Sequence, residues 1–137
     1  MNNTIEFKIR FVQSTEIPKD VKVLNIHESL GGLCRVYSTH LEFLDYRYGV
    51  TKHLSLFLGG LFGWILKPLL GSLTVSISSY KILWKDVQSV KFVSSVREIN
   101  VLGKREKDKH LWLFTFKCEQ DNELLSQLSS FTNIEAI

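Results

Sequence analysis

The sequence predicts a mostly β (α+β) domain closed by a C-terminal helix. Three observations carry this expectation. Apolar and polar residues alternate in several short runs, as half-buried strands require. An apolar stripe with helical spacing lies near the C-terminus. A glycine-rich apolar segment without charge interrupts the alternating runs.

Ile5, Phe7, Ile9 and Phe11 alternate with Glu6, Lys8 and Arg10, which reads as a first strand. Pro18 ends the pattern, and Glu16 to Asp20 read as a turn. Val21 and Val23 continue a second, weaker strand. Gly31-Gly32 is a turn signal, because glycine reaches positive φ without steric cost. Leu33 to Tyr37 and Leu41 to Tyr46 form an expected hairpin through Ser38-Thr39-His40. Leu73, Val75 and Ile77 then alternate with Thr74, Ser76 and Ser78, and Tyr80 to Trp84 reads as another strand.

Val87, Val90, Phe92 and Val93 follow, then a strand from Val96 to Leu102. A charged hairpin tip comes next, and its stretch Lys104 to Lys109 holds four basic and two acidic residues, a local balance of +2. Such a run is commonly a solvated turn. In the last strand, Leu111, Leu113, Thr115 and Lys117 share one face, and Trp112, Phe114, Phe116 and Cys118 share the other. Asp121 is the expected N-cap of the helix, with Glu123 in its first turn. Leu124, Leu125, Leu128 and Phe131 give the apolar stripe, and Asn133 the stop.

The whole chain bounds the answer. Its 137 residues fit a single domain, 1–137, large enough to bury a core without disulfides or metal. With 45 % apolar and 23 % charged residues it has the composition of a folded protein. A net charge of +3 falls short of a nucleic-acid binder. Cys34 and Cys118 read as small buried hydrophobes rather than a disulfide framework. The N-terminus lacks the basic start and apolar run of a signal peptide, so the expected location is cytoplasmic, either free or peripheral at the membrane.

No convergent set of catalytic groups stands out, so an enzyme is not expected and no cofactor is called for. His27, His40, His53 and His110 make no zinc-like pair. Cys34 with His40 has no specific spacing and reads as a core cysteine and a turn histidine. Asp45 and Asp86 each read as strand-end residues, solvated or capping a turn. Gly59-Gly60-Leu61-Phe62-Gly63 lacks the Lys-Ser/Thr pair of a phosphate loop.

The apolar segment is the informative stretch. Leu54 to Leu66 carries no charge before Lys67-Pro68. That is short of the roughly 20 residues a spanning helix needs. A short helix or helical hairpin at 54–72 fits better. Gly59 and Gly63, four apart, suit close helix approach. Trp64 suits a membrane–water interface, and Lys67 can snorkel to headgroups. Folding over the core, or burial against a second copy, are the competing readings.

Several stretches resemble the pleckstrin-homology-like superfamily, particularly its GRAM-type and bacterial members. Gly32-Leu33-Cys34-Arg35-Val36-Tyr37-Ser38-Thr39-His40-Leu41-Glu42-Phe43 resembles the family's second and third strands. Ile82-Leu83-Trp84-Lys85-Asp86-Val87-Gln88-Ser89-Val90 resembles a later strand, turn and strand. Leu113-Phe114-Thr115-Phe116, followed by Asp121 to Phe131, resembles the last strand and capping helix. The resemblance implies a PH/GRAM-like antiparallel β-barrel or sandwich with a C-terminal capping helix, and the apolar segment as an insertion. It also implies a binding scaffold for lipid headgroups, peptides or proteins. The dense basic first hairpin of phosphoinositide-binding members is missing from this sequence.

The expected function is therefore non-catalytic binding at a membrane surface or to a protein partner. The expected contacts are Phe57, Leu61, Phe62, Trp64, Ile65, Leu66 and Lys67, with Lys104, Arg105 and Lys107 toward headgroups. The alternative is a homo-oligomeric module whose insertion is buried between subunits. Nucleic acid is not an expected partner.

Overall fold

The computed structural model describes residues 5–48, 75–108 and 110–137. The expected contacts Phe57, Leu61, Phe62, Trp64, Ile65, Leu66 and Lys67 lie outside them, as does the whole of 54–72. The described residues form a mostly β fold with one helix. Its strands are β1 (Ile5–Phe11), β2 (Val21–Val23), β3 (Ser29–Val36), β4 (His40–Tyr48), β5 (Val75–Leu83), β6 (Val87–Val93), β7 (Glu98–Lys104), β8 (Leu111–Lys117) and β9 (Ile134–Ala136). Helix α1 spans Asp121–Ser129.

The strands join in the order β5-β4-β3-β1-β8-β7-β6-β9, with β2 on β8. Most neighbours are antiparallel; β2–β8 and β6–β9 are parallel. The alternation read from the sequence places one side of each strand inside. Phe7, Ile9 and Phe11 of β1 meet Cys34 and Val36 of β3, Leu41 and Phe43 of β4, and Ile82 of β5, all buried. From the other half come Val90, Ile99, Val101, Phe114 and Phe116, with Leu124 and Leu128 of α1 over them. The Phe43 ring stacks on Phe114 at 4.6 Å and tilts against Phe116 at 5.3 Å. Each such ring removes a large apolar area from water and supplies a main favourable term of folding.

Several local expectations are corrected. Gly31-Gly32 is not a turn but lies inside β3, at a register shift between Ser29 and Gly32. Gly31 takes φ +118°, and a Cβ on Gly32 would stand 2.1 Å from the Leu44 carbonyl oxygen. The pair is glycine because a bulge and a close strand approach both fall there. Tyr80 does not begin a new strand; β5 is continuous from Val75 to Leu83. Continuity puts Ile77 on the face opposite Tyr80 and Ile82, and Ile77 is 58 % exposed. Asp121 is the first helical residue rather than the N-cap, which is Gln120. Its carboxylate instead accepts two bonds from the Arg97 guanidinium, at 2.8 and 2.7 Å. Those bonds hold Arg97 in the left-handed region, φ 54°, at the β6–β7 turn.

β9 was not expected at all. Its three residues are too short to show a period, and pairing with β6 creates the strand.

Candidate functional site

The β7–β8 hairpin tip carries the described residues expected at headgroups. Lys104 ends β7, and Leu111, its ladder partner, opens β8. The tip leans on β5: the Glu106 N–H donates to the Lys81 carbonyl at 2.9 Å. Arg105 lies with its guanidinium 4.5 Å from the Tyr80 ring centre and 5.3 Å from that of Trp112. It also donates to the Ser79 carbonyl at 3.4 Å. The cation faces two aromatic quadrupoles and is half-buried, so Arg105 fixes the tip rather than projecting from it.

Asp108 fixes the other side. Its carboxylate accepts from Trp112 Nε1 at 2.9 Å and from the His110 backbone N–H at 3.0 Å, and its Oδ1 lies 2.7 Å from His110 Nδ1. The bonds from Trp112 and His110 hold its pKa well below the usual carboxylate range. Lys22 adds an ion pair at 3.8 Å and sits 5.9 Å from the Trp112 ring centre. Lys81 pairs with Glu106 at 3.3 Å. Lys104 and Lys107 are exposed and, among the described residues, unpaired. The tip is a braced turn presenting, among its described residues, two free ammonium groups.

The position of this tip relative to the described strand ends that flank the apolar segment follows from register. The β4–β5 ladder runs without a break from His40↔Leu83 to Tyr48↔Val75. Residues 49–74, 26 in number, therefore leave and rejoin the sheet at directly opposed positions. Ser79, which receives Arg105, lies four residues along β5 from that point, about 13 Å at ~3.3 Å per residue. Exposed Ile77 lies between.

At the same end of β4, Asp45 is fully buried within the strand, contrary to its expected place at a strand end, solvated or capping a turn. It accepts from Ser29 Oγ at 2.6 Å, and Arg47 Nε stands 2.7 Å from its Oδ2. That second contact is not aligned as a hydrogen bond, so it acts through charge. Arg47 also donates to the Asn25 carbonyl. Burial pushes the Asp45 pKa up, against the pull of Ser29 and Arg47.

The remaining sequence candidates separate. Asp86 lies beyond Leu83, at the opposite end of the β4–β5 ladder from Asp45. Cys34 is sealed in the core, where burial raises its thiol pKa far above the ordinary value. Its register partners are Phe7 and Phe43. His40 sits at the β3–β4 turn, its ring stacked on Tyr37 at 4.3 Å. Its pKa is lowered by desolvation and then by nearby Lys81. Among the described residues no three His, Cys, Asp or Glu side chains gather as metal ligands. No described helix is long and apolar enough to cross a membrane.

One row of cations escaped the sequence reading. Lys8 and Arg10 share the outer face of β1, and Arg10 stands directly opposite Lys117 of β8. Alternation alone marks Lys8 and Arg10 as a polar face; only the β1–β8 register reveals the facing like charge. Comparison with protein-family models, curated proteins and solved structures finds no match.

Proposed function

We propose that the chain is a non-catalytic binding module of PH/GRAM-like kind that docks on an anionic membrane surface. Segment 54–72 supplies the apolar contact, and Lys104 and Lys107 supply charge. The observation that carries this reading is the Tyr48↔Val75 pair at the base of the segment. Two residues suffice to join paired antiparallel strands. The chain spends 26 there, with a charge-free run at their centre. Joining β4 to β5 does not account for such a segment; contact with an apolar medium does. The strand order followed by a terminal helix supports the PH/GRAM-like assignment.

Vesicle co-sedimentation tests this reading, with neutral and anionic compositions side by side. The wild type is expected to pellet with anionic vesicles, and a folded Trp64→Asp variant to stay in solution. Replacing Lys104 and Lys107 by Gln is expected to weaken partition about fivefold per residue at low salt, since each lipid-facing cation contributes about 1 kcal/mol. If the wild type ignores both vesicle types, the membrane reading is wrong. A Trp64→Asp protein of smaller solution size would then identify the segment as a contact between copies.

A further inference from the structure

The geometry points to a second binding surface, on the seam between β1 and β8, that takes an extended acidic peptide as an added strand. It is independent of segment 54–72.

The first observation concerns backbone. The Val12 N–H donates to the Thr115 carbonyl at 2.9 Å. Strand alternation then turns the backbone groups of Arg10, Lys8 and Glu6 toward the β8 side, while Ile5, Phe7 and Ile9 face β3. The β1–β8 ladder, however, stops at Arg10↔Lys117. From Cys118 the chain departs toward α1. Lys8 and Glu6 thus keep an open edge, and no backbone bond reaches them there from any described residue. The edge borders an open groove of about 1020 Å³ between β1, the β6–β7 turn and Cys118–Gln120. A free edge beside a groove is what strand addition uses.

The second observation is charge. Lys8, Arg10 and Lys117 line the groove, and none has an ion-pair partner among the described residues. Arg10 and Lys117 face each other, an arrangement that costs stability. Glu6 at the rim is already held by Arg35 at 2.7 Å, and Arg97 by Asp121. Glu119 is the remaining acidic group on the lining. Glu98 of β7 stands opposite Lys117 in the ladder, and Glu123 of α1 borders Glu6, but neither forms an ion pair with Lys8, Arg10 or Lys117. Three unpaired cations on the lining favour an anionic occupant. The open backbone edge selects a peptide rather than a lipid headgroup, which has no strand groups to offer.

The test uses the full chain and a fluorescent hexapeptide, acetyl-(Val-Glu)3-amide, read by anisotropy and by hydrogen exchange. Expected are saturable binding, slowed exchange at the Lys8 amide, and loss of binding on N-methylating alternate peptide amides. Lys8→Gln with Arg10→Gln should weaken binding about tenfold while leaving the fold intact by circular dichroism. Lys117→Gln, a single change on the other strand, gives the same direction if the double variant fails to fold. Equal binding of the N-methylated peptide would reduce the site to unspecific charge and overturn strand addition. No binding of the peptide, or slowed exchange elsewhere than β1, would also overturn it. So would anionic vesicles that bind through these same three residues while the peptide does not.

Discussion

Two regions of the sheet treat positive charge in opposite ways. On the outer face of β1, β3, β4 and β5, the register aligns Glu6, Arg35, Glu42 and Lys81 in one row of alternating sign. Arg35 reaches Glu6 at 2.7 Å and Glu42 at 3.5 Å, and Lys81 reaches Glu106. On the β1–β8 seam, Arg10 and Lys117 face each other unpaired. The chain has five arginines: Arg35, Arg47 and Arg97 meet carboxylates and Arg105 meets two rings, leaving Arg10 without a described partner. Among the arginines pairing is thus the rule, and Arg10, set against Lys117 at the seam, is the exception.

This contrast can be broken most severely at the buried pair. Arg47→Met leaves the Asp45 carboxylate buried without its cation, and should cost about 3 kcal/mol in urea denaturation. A loss below about 1 kcal/mol would mean that Asp45 does not depend on Arg47. Next comes the ring-held cation: Arg105→Ala should cost about 1 kcal/mol, with the tip amides exchanging faster. Smaller still, and sharper, is a pair of opposite signs. Arg35→Gln should lower stability by about 0.5 kcal/mol, whereas Arg10→Gln, which removes the like charge opposite Lys117 and leaves Lys117 facing Glu98, should raise it by about as much. Two losses would erase the distinction between the regions.

The pH profile separates the carboxylates. Asp121 is depressed below 3.8, chiefly by the hydrogen bonds from Arg97. Its stabilisation is complete above the ordinary value and disappears as pH falls through the folded one. Asp45 is raised above 3.8 by burial. The folded state then holds the extra proton, so stability falls as pH rises from about 3.8 through the raised value. Arg97→Gln should flatten the acid limb, and Asp45→Asn the fall above it, in melting curves taken across pH 2 to 7. An unchanged profile in both variants would detach these residues from the charge pattern.

Much of the fold was legible because its strands alternate cleanly. β1, β3, β4 and β8 expose their period in the order of residues. What was not legible depends on register. Gly31-Gly32 signals a turn to any local reading, yet it serves a bulge and the approach of β4. Ile77 continues an apolar alternation locally, but a continuous β5 fixes its parity against Tyr80. Asp121 has the chemistry of an N-cap, and a distant arginine takes its oxygens. Of the expected headgroup residues, Lys104 and Lys107 stand exposed and Arg105 braces the tip. The Arg10–Lys117 opposition joins residues more than a hundred positions apart, and no local pattern encodes it.

The Tyr48↔Val75 pair has one more consequence, for the engineer. Because the two strand ends stand opposite each other, Asn-Gly fits between them as a two-residue reverse turn. The 26 residues from 49 to 74 can be excised at that joint and replaced by a dipeptide. The shortened chain is expected to keep every described strand and the helix, which circular dichroism and urea denaturation would check. The described sheet then becomes a carrier in its own right, with a defined joint at Tyr48 and Val75 where other sequences can be set.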